Sequence, residues 1–138
     1  MRARDDLDET YFEKVLKSAL NHPRRDKRME MIYLLGELRD LRAMDALASI
    51  MTEDDPFLVS EAVKAAGKMG GVKAMEQLQI MTHHRSFLVR GEVAKAIGSV
   101  DNPNLSELLD QLLKDISPYV EECAHMALAA KKTKERIG

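Results

Sequence analysis

Four histidines, one cysteine and two opposed groups of charge are the side chains of this 138-residue chain that could carry chemistry. His83 and His84 stand side by side, and two imidazoles could begin a metal site. Adjacent side chains rarely converge on one ion, and no thiolate or carboxylate lies beside them, so the pair reads as a solvated loop. Cys123, as the single cysteine, can form neither an intramolecular disulfide nor a thiolate-only zinc cluster. It falls in the apolar rhythm Val120, Cys123, Ala124, Ala127 and reads as a small buried side chain. The chain holds no Gly-rich phosphate loop after a strand, no nucleophile elbow and no triad. No catalytic residue, metal or cofactor is therefore expected, and the chain reads as non-enzymatic.

The densest charge is Arg24, Arg25, Lys27 and Arg28, interrupted by Asp26 and extended by Arg39 and Arg42. Such a cluster could neutralise several phosphates, which makes nucleic-acid binding the alternative function. Against it stand the aspartate, the absence of aromatic platforms and a place at a helix start, where basic charge opposes the dipole. The net charge of −2 supplies no global field toward nucleic acid or an anionic membrane. No run approaches the ~18 consecutive apolar residues of a membrane span, and the N-terminus lacks a signal-peptide core, so a cytoplasmic location is expected.

These residues must be positioned by helices. Hydrophobic residues make up 45% of the chain but aromatics only 4%, a profile rich in helix formers. Glycines fall at 36, 67 and 98, a step of 31, and the stretches around them are imperfect copies of one another. The apolar spacing predicts helices over 7–20, 25–38, 41–51, 57–69, 72–81, 87–100, 104–114 and 119–132. Asn21-His22-Pro23, Glu53-Asp54-Asp55-Pro56, His83 to Ser86 and Ser117-Pro118 separate the units, with Ser86 a candidate N-cap. Gly70-Gly71 and Asp101-Asn102-Pro103 form turns within units. The expected organisation is a disordered 1–6, then one domain over 7–134, then a frayed 135–138. That domain holds a half-repeat 7–22, repeats 23–54, 55–84 and 85–115, and a terminal half-repeat 116–134. A glycine inside each first helix costs roughly 1 kcal/mol relative to alanine, which points to close approach of the neighbouring unit. Lys131, Lys132, Lys134 and Arg136 read as solvation and as complement to a helix C-terminus.

Asp55-Pro56 followed by Ala66-Gly67-Lys68-Met69-Gly70-Gly71, and Val89-Arg90 followed by Ala96-Ile97-Gly98, carry a resemblance. The pattern is similar to the short HEAT-like repeats named for phycobilisome lyases and widespread in bacteria and archaea. It implies an all-α, right-handed α-α solenoid of stacked helical hairpins, about eight helices long. It also implies a polar ladder between units, whose places are held here by Arg28, Arg90 and Asp40. HEAT-like hydroxylases hold iron with repeated His-Glu dipeptides, which this chain lacks. Tetrapyrrole lyase chemistry is invited by the family name and by no residue here beyond the fold.

In such a stack the second helices are expected to line the concave side. Their outward positions form columns 31 apart: Asp45, Glu76 and Glu107, with Met44 and Met75 beside them and Ile80 and Gln111 one turn along. Acids beside flexible methionines suit a basic or amphipathic helical segment. The expected function is a non-enzymatic protein-binding or scaffolding module, monomeric or weakly self-associating.

Overall fold

A computed structural model describes residues 2–100 and 102–137, with the side chains of 9–100, 102 and 104–134. Met1, Asp101 of the expected third turn and Gly138 of the expected tail lie outside them. Eight helices follow one another among the described residues, without a strand: α1 (Arg2–Asn21), α2 (Arg25–Leu38), α3 (Met44–Ile50), α4 (Pro56–Met69), α5 (Gly71–Met81), α6 (Phe87–Ser99), α7 (Ser106–Leu113) and α8 (Pro118–Ile137). Single 3₁₀ turns over Leu41–Ala43 and Pro103–Leu105 precede α3 and α7. Among the described residues no helix is long and apolar enough to cross a membrane.

The helices form two rows. In the first, α2, α4, α6 and α8 stack directly on one another; in the second, α3, α5 and α7 are each wedged against first-row helices, and α1 lies on α2. Ile32, Leu47, Val63, Leu78, Ile97 and Leu112 are fully buried between the rows. The array is therefore an α-solenoid, in which each unit covers the apolar side of the next.

The 31-residue glycines set the spacing of the first row. A Cβ built on Gly36 would lie 2.9 Å from Ala65 Cα, and one on Gly67 or Gly98 would lie 2.9 Å from the Cβ of Ala96 or Ala127. Small faces meet small faces, and the first-row helices pack closely. In the second row no such pairs exist, and α3 meets α5 at only a few points. The two rows therefore differ in how closely their helices pack, the first row tightly and the second loosely.

The links between units repeat with the same step at 22, 53, 84 and 115. His22 Nδ1 accepts the Arg24 N–H at 3.0 Å, His84 Nδ1 the Ser86 N–H at 3.0 Å, and Asp115 Oδ1 the Ser117 N–H at 2.9 Å. Arg28 donates to Ala19 O at 2.9 Å and to both carboxylate oxygens of Glu53 at 2.9 and 2.6 Å. Arg90 likewise donates to His84 O at 2.8 Å and to Asp115 at 2.8 and 3.1 Å. The ladder thus joins each arginine to the acid after the second helix. It does not use Asp40, which accepts the Arg42 N–H at the 3₁₀ turn and pairs with the Arg42 guanidinium. In the middle unit the rung is replaced by Val59, fully buried, and His84.

Several helix ends differ from expectation. α1 starts at Arg2 instead of Leu7, and α8 continues to Ile137 through most of the expected frayed tail, because neither segment contains a glycine or proline to stop it. Lys131 and Lys134 do not complement their own helix end. They donate to Val100 O at 2.8 Å and Ser99 O at 3.5 Å, satisfying open carbonyls at the end of α6. Ser86 makes no side-chain cap. Asp55 does cap α4, accepting the Phe57 N–H at 3.0 Å and the Leu58 N–H at 3.4 Å, while also holding Arg25 of α2.

Two outcomes follow. Gly67→Ala is expected to lower stability by about 1–2 kcal/mol despite its better helix propensity, and adding Ala96→Gly should restore most of the loss by removing the opposing methyl. Urea unfolding of both single variants and the double variant measures the coupling; additive effects would rule out the contact as the constraint. Asp55→Ala should cost about 1–2 kcal/mol, and Asp55→Asn less, since its amide oxygen can still accept the capping N–H groups. The Arg25 guanidinium, with the two capping N–H groups, lowers the Asp55 pKa to about 2. Its stabilising contribution is then complete above about pH 4 and disappears as the pH falls to about 2. Unfolding curves of wild type and Asp55→Asn should converge over that interval.

Candidate interaction faces

The splay of the second row opens a groove of about 570 Å³ between α5 and α7. Three of the seven residues expected to bind a partner meet there: Met75, Glu76 and Glu107, beside Val72, Leu105 and Leu108. The groove lies on the second row. Neither Glu76 nor Glu107 forms an ion pair among the described residues. Ile80 and Gln111 are exposed but do not line the groove. Asp45 is exposed, with its carboxylate 3.9 Å from Lys73.

Met44 is buried at 3% exposure and belongs to the core, which corrects its placement on the surface. α3 follows a tight 3₁₀ turn that α5 lacks, so a 31-residue offset does not give Met44 and Met75 equivalent surroundings.

The basic cluster is consumed within the fold. Arg24 pairs with Asp26 at 2.7 Å, Lys27 with Glu30 at 3.2 Å and Arg28 with Glu53 at 2.6 Å. Arg25 donates to Asp55 at 2.8 Å and lies 5.1 Å from the centre of the Phe57 ring. Each of these four cations faces a carboxylate of its own chain, with the Arg24 and Lys27 pairs on the exposed surface. The histidines are likewise occupied or dispersed. His84 is half-buried, and burial, then Arg85 and Arg90, holds its pKa below the usual histidine range. No group of three or more His, Cys, Asp or Glu among the described residues could hold a metal ion.

The first-row helices hold residues that sequence reasoning missed. The chain has six aromatic residues, and only Phe12 is buried. Tyr33, Phe57, Phe87 and Tyr119 lie 38–52% exposed on the first-row helices. Stepping by 31 along that row places Phe57, Leu88 and Tyr119 in one column, Glu30, Glu61 and Glu92 in the next, and Tyr33, Lys64, Lys95 and Met126 in a third. The offset that located the second-helix columns would have found these on the first helices. Gly91 leaves room for the Tyr119 ring, which a Cβ there would strike, and Phe87 meets that ring edge-on at 5.8 Å. Lys68 lies 4.3 Å from the Tyr33 ring centre, and Lys95 lies 5.6 Å from that of Tyr119. Glu61 pairs with Lys64 at 3.4 Å. Burial raises the pKa of Glu92, and the fields of Lys64 and Lys95 oppose the rise.

Known proteins share this architecture. Human deoxyhypusine hydroxylase, solved with glycerol, is 21% identical, with a TM-score of 0.74 over 88% of this chain and 43% of that one. The complex of CpcE and CpcF of phycocyanin lyase from Nostoc sp. PCC7120 is 17% identical, with a TM-score of 0.58 over 86% of this chain and 64% of that one. The chain thus spans less than two thirds of either. None of the curated proteins matches it. The similarity to a hydroxylase and a lyase corrects the expectation of a non-enzymatic chain. That expectation rested on missing local motifs, and a solenoid that can build a site from side chains of separate repeats leaves no such motif. Residues 13–84, just over half of the chain, match the family described as HEAT repeats, and with the stacked two-row architecture this establishes that the chain belongs to the HEAT-repeat family.

Proposed function

We propose that this chain is a protein-binding scaffold that is concave on the side of α2, α4, α6 and α8 and receives its partner on that face. The observation that carries the reading is the placement of the aromatics. A chain with so few rings commits one to its core and sets four along α2, α4, α6 and α8, half-exposed. Tyr and Phe contribute large rigid contact area, and aromatic residues are enriched where protein surfaces are buried on association. The neighbouring file of Glu30, Glu61 and Glu92, with Lys64 and Lys95, supplies charges that can set register and orientation.

Phe57→Ser combined with Phe87→Ser is expected to leave the unfolding midpoint within a few degrees of wild type, because both rings lie outside the core. The double variant should weaken partner binding by about tenfold or more. Tagged wild type and variant, recovered side by side from the native cell and compared by quantitative mass spectrometry, give the readout. Proteins retained by wild type and lost from the folded variant support the inner face as the site. An unchanged set of retained proteins overturns it.

A further inference from the structure

We infer that the groove between α5 and α7 is a second docking site, for an amphipathic helix of another protein that carries lysine or arginine along the edge of its apolar stripe. The inference is independent of the concave-face reading, because the groove lies on the opposite row.

Its origin is geometric. The Gly67–Ala96 contact draws α4 and α6 together, and the second-row helices that follow them diverge, leaving a channel that none of the described side chains closes. The floor is apolar. Leu105 and Leu108 are buried beneath it, Met75 is partly buried against the core, and Val72 is 76% exposed at the edge. Met75 can adapt to an irregular apolar partner. α5 spans 11 residues, about 16 Å of helix, which matches an apolar stripe of about three or four anchors on a partner helix.

Charge selects the occupant. Glu76 stands on the α5 wall and Glu107 on the α7 wall, and none of the residues lining the groove is basic. Several carboxylates elsewhere pair with the fold's own cations: Glu37 with Lys68, Glu53 with Arg28, Asp55 with Arg25 and Asp115 with Arg90. Among the described residues Glu76 and Glu107 form no ion pair and stay open to a ligand. An uncompensated acid on each wall favours a cationic ligand and repels nucleic acid and acidic segments. The amides of Gln79, Asn102 and Asn104 complete a polar rim.

Selection from a displayed library of helical peptides with randomised faces, against the intact chain, tests this directly. Enriched peptides are expected to carry an apolar i, i+3/i+4, i+7 stripe flanked by Lys or Arg, and their affinity should fall as salt rises. Measured by fluorescence anisotropy, the Glu76→Lys/Glu107→Lys variant should bind them at least tenfold more weakly, and Glu76→Gln/Glu107→Gln should show a smaller loss in the same direction. Val72→Asp should also weaken binding, whereas Phe57→Ser/Phe87→Ser should not. Enrichment of acidic peptides, or of none, would overturn the proposal. So would affinities unchanged by charge reversal in variants whose circular dichroism and unfolding midpoint match wild type. Loss of binding in the phenylalanine variant but not in the glutamate variants would assign the peptides to the concave face and remove the groove as a site.

Discussion

The contact between a glycine of one unit and an alanine of the next governs this structure. Three such contacts, Gly36 on Ala65, Gly67 on Ala96 and Gly98 on Ala127, bring four helices together closely enough that a single methyl group has no room. Glycine is a poor helix former, so each contact costs local helix stability and is offset by the packing it permits. The second row has no such contacts, and a groove lies open between α5 and α7. At α8 the series ends: Ala129 stands where the next glycine would fall, and it is exposed.

Electrostatics plays a second, subordinate part at the links between units. Arg28 and Arg90 each collect a backbone carbonyl and a carboxylate, Arg28 at 15% and Arg90 at 14% side-chain exposure, where such pairs are screened less than on the open surface. They fasten one link to the next at the first and third units. The middle unit lacks this fastening and relies on Val59 in the core, with the exposed pairs Arg25–Asp55 and Arg85–Asp54 at its edge. Of the acids paired with the basic run, Glu53 and Asp55 come from the next link, 25 and 30 positions along the chain, while Asp26 and Glu30 lie close to their partners in sequence.

Function in such a molecule belongs to surfaces more than to motifs. Neighbouring side chains of a site come from successive helices, one repeat apart, and share no local signature in the chain. The architecture is shared with a hydroxylase and with a lyase complex, so the fold itself does not separate binding from catalysis. What distinguishes this chain is the composition of its faces: aromatics and a Glu/Lys file along the first row, and carboxylates without an ion pair among the described residues over an apolar floor on the second.

The helices, their number and the 31-residue step were legible in the chain, because periodic apolar spacing and a recurring glycine are local properties that survive without coordinates. The close approach at Gly36, Gly67 and Gly98 could be inferred for the same reason. The gathering of Met75, Glu76 and Glu107 was half legible, since the offset aligned them without revealing that a gap lies between their helices. Why Met44 turns inward while Met75 does not, and which acids neutralise Arg25 and Arg28, were not legible. Those outcomes depend on the relative spacing of the two rows and on distances between residues far apart in the chain. The sequence by itself thus determined a stacked-helix architecture and its register, whereas tertiary packing decided which of the repeated side chains are buried, which are paired and which stay exposed.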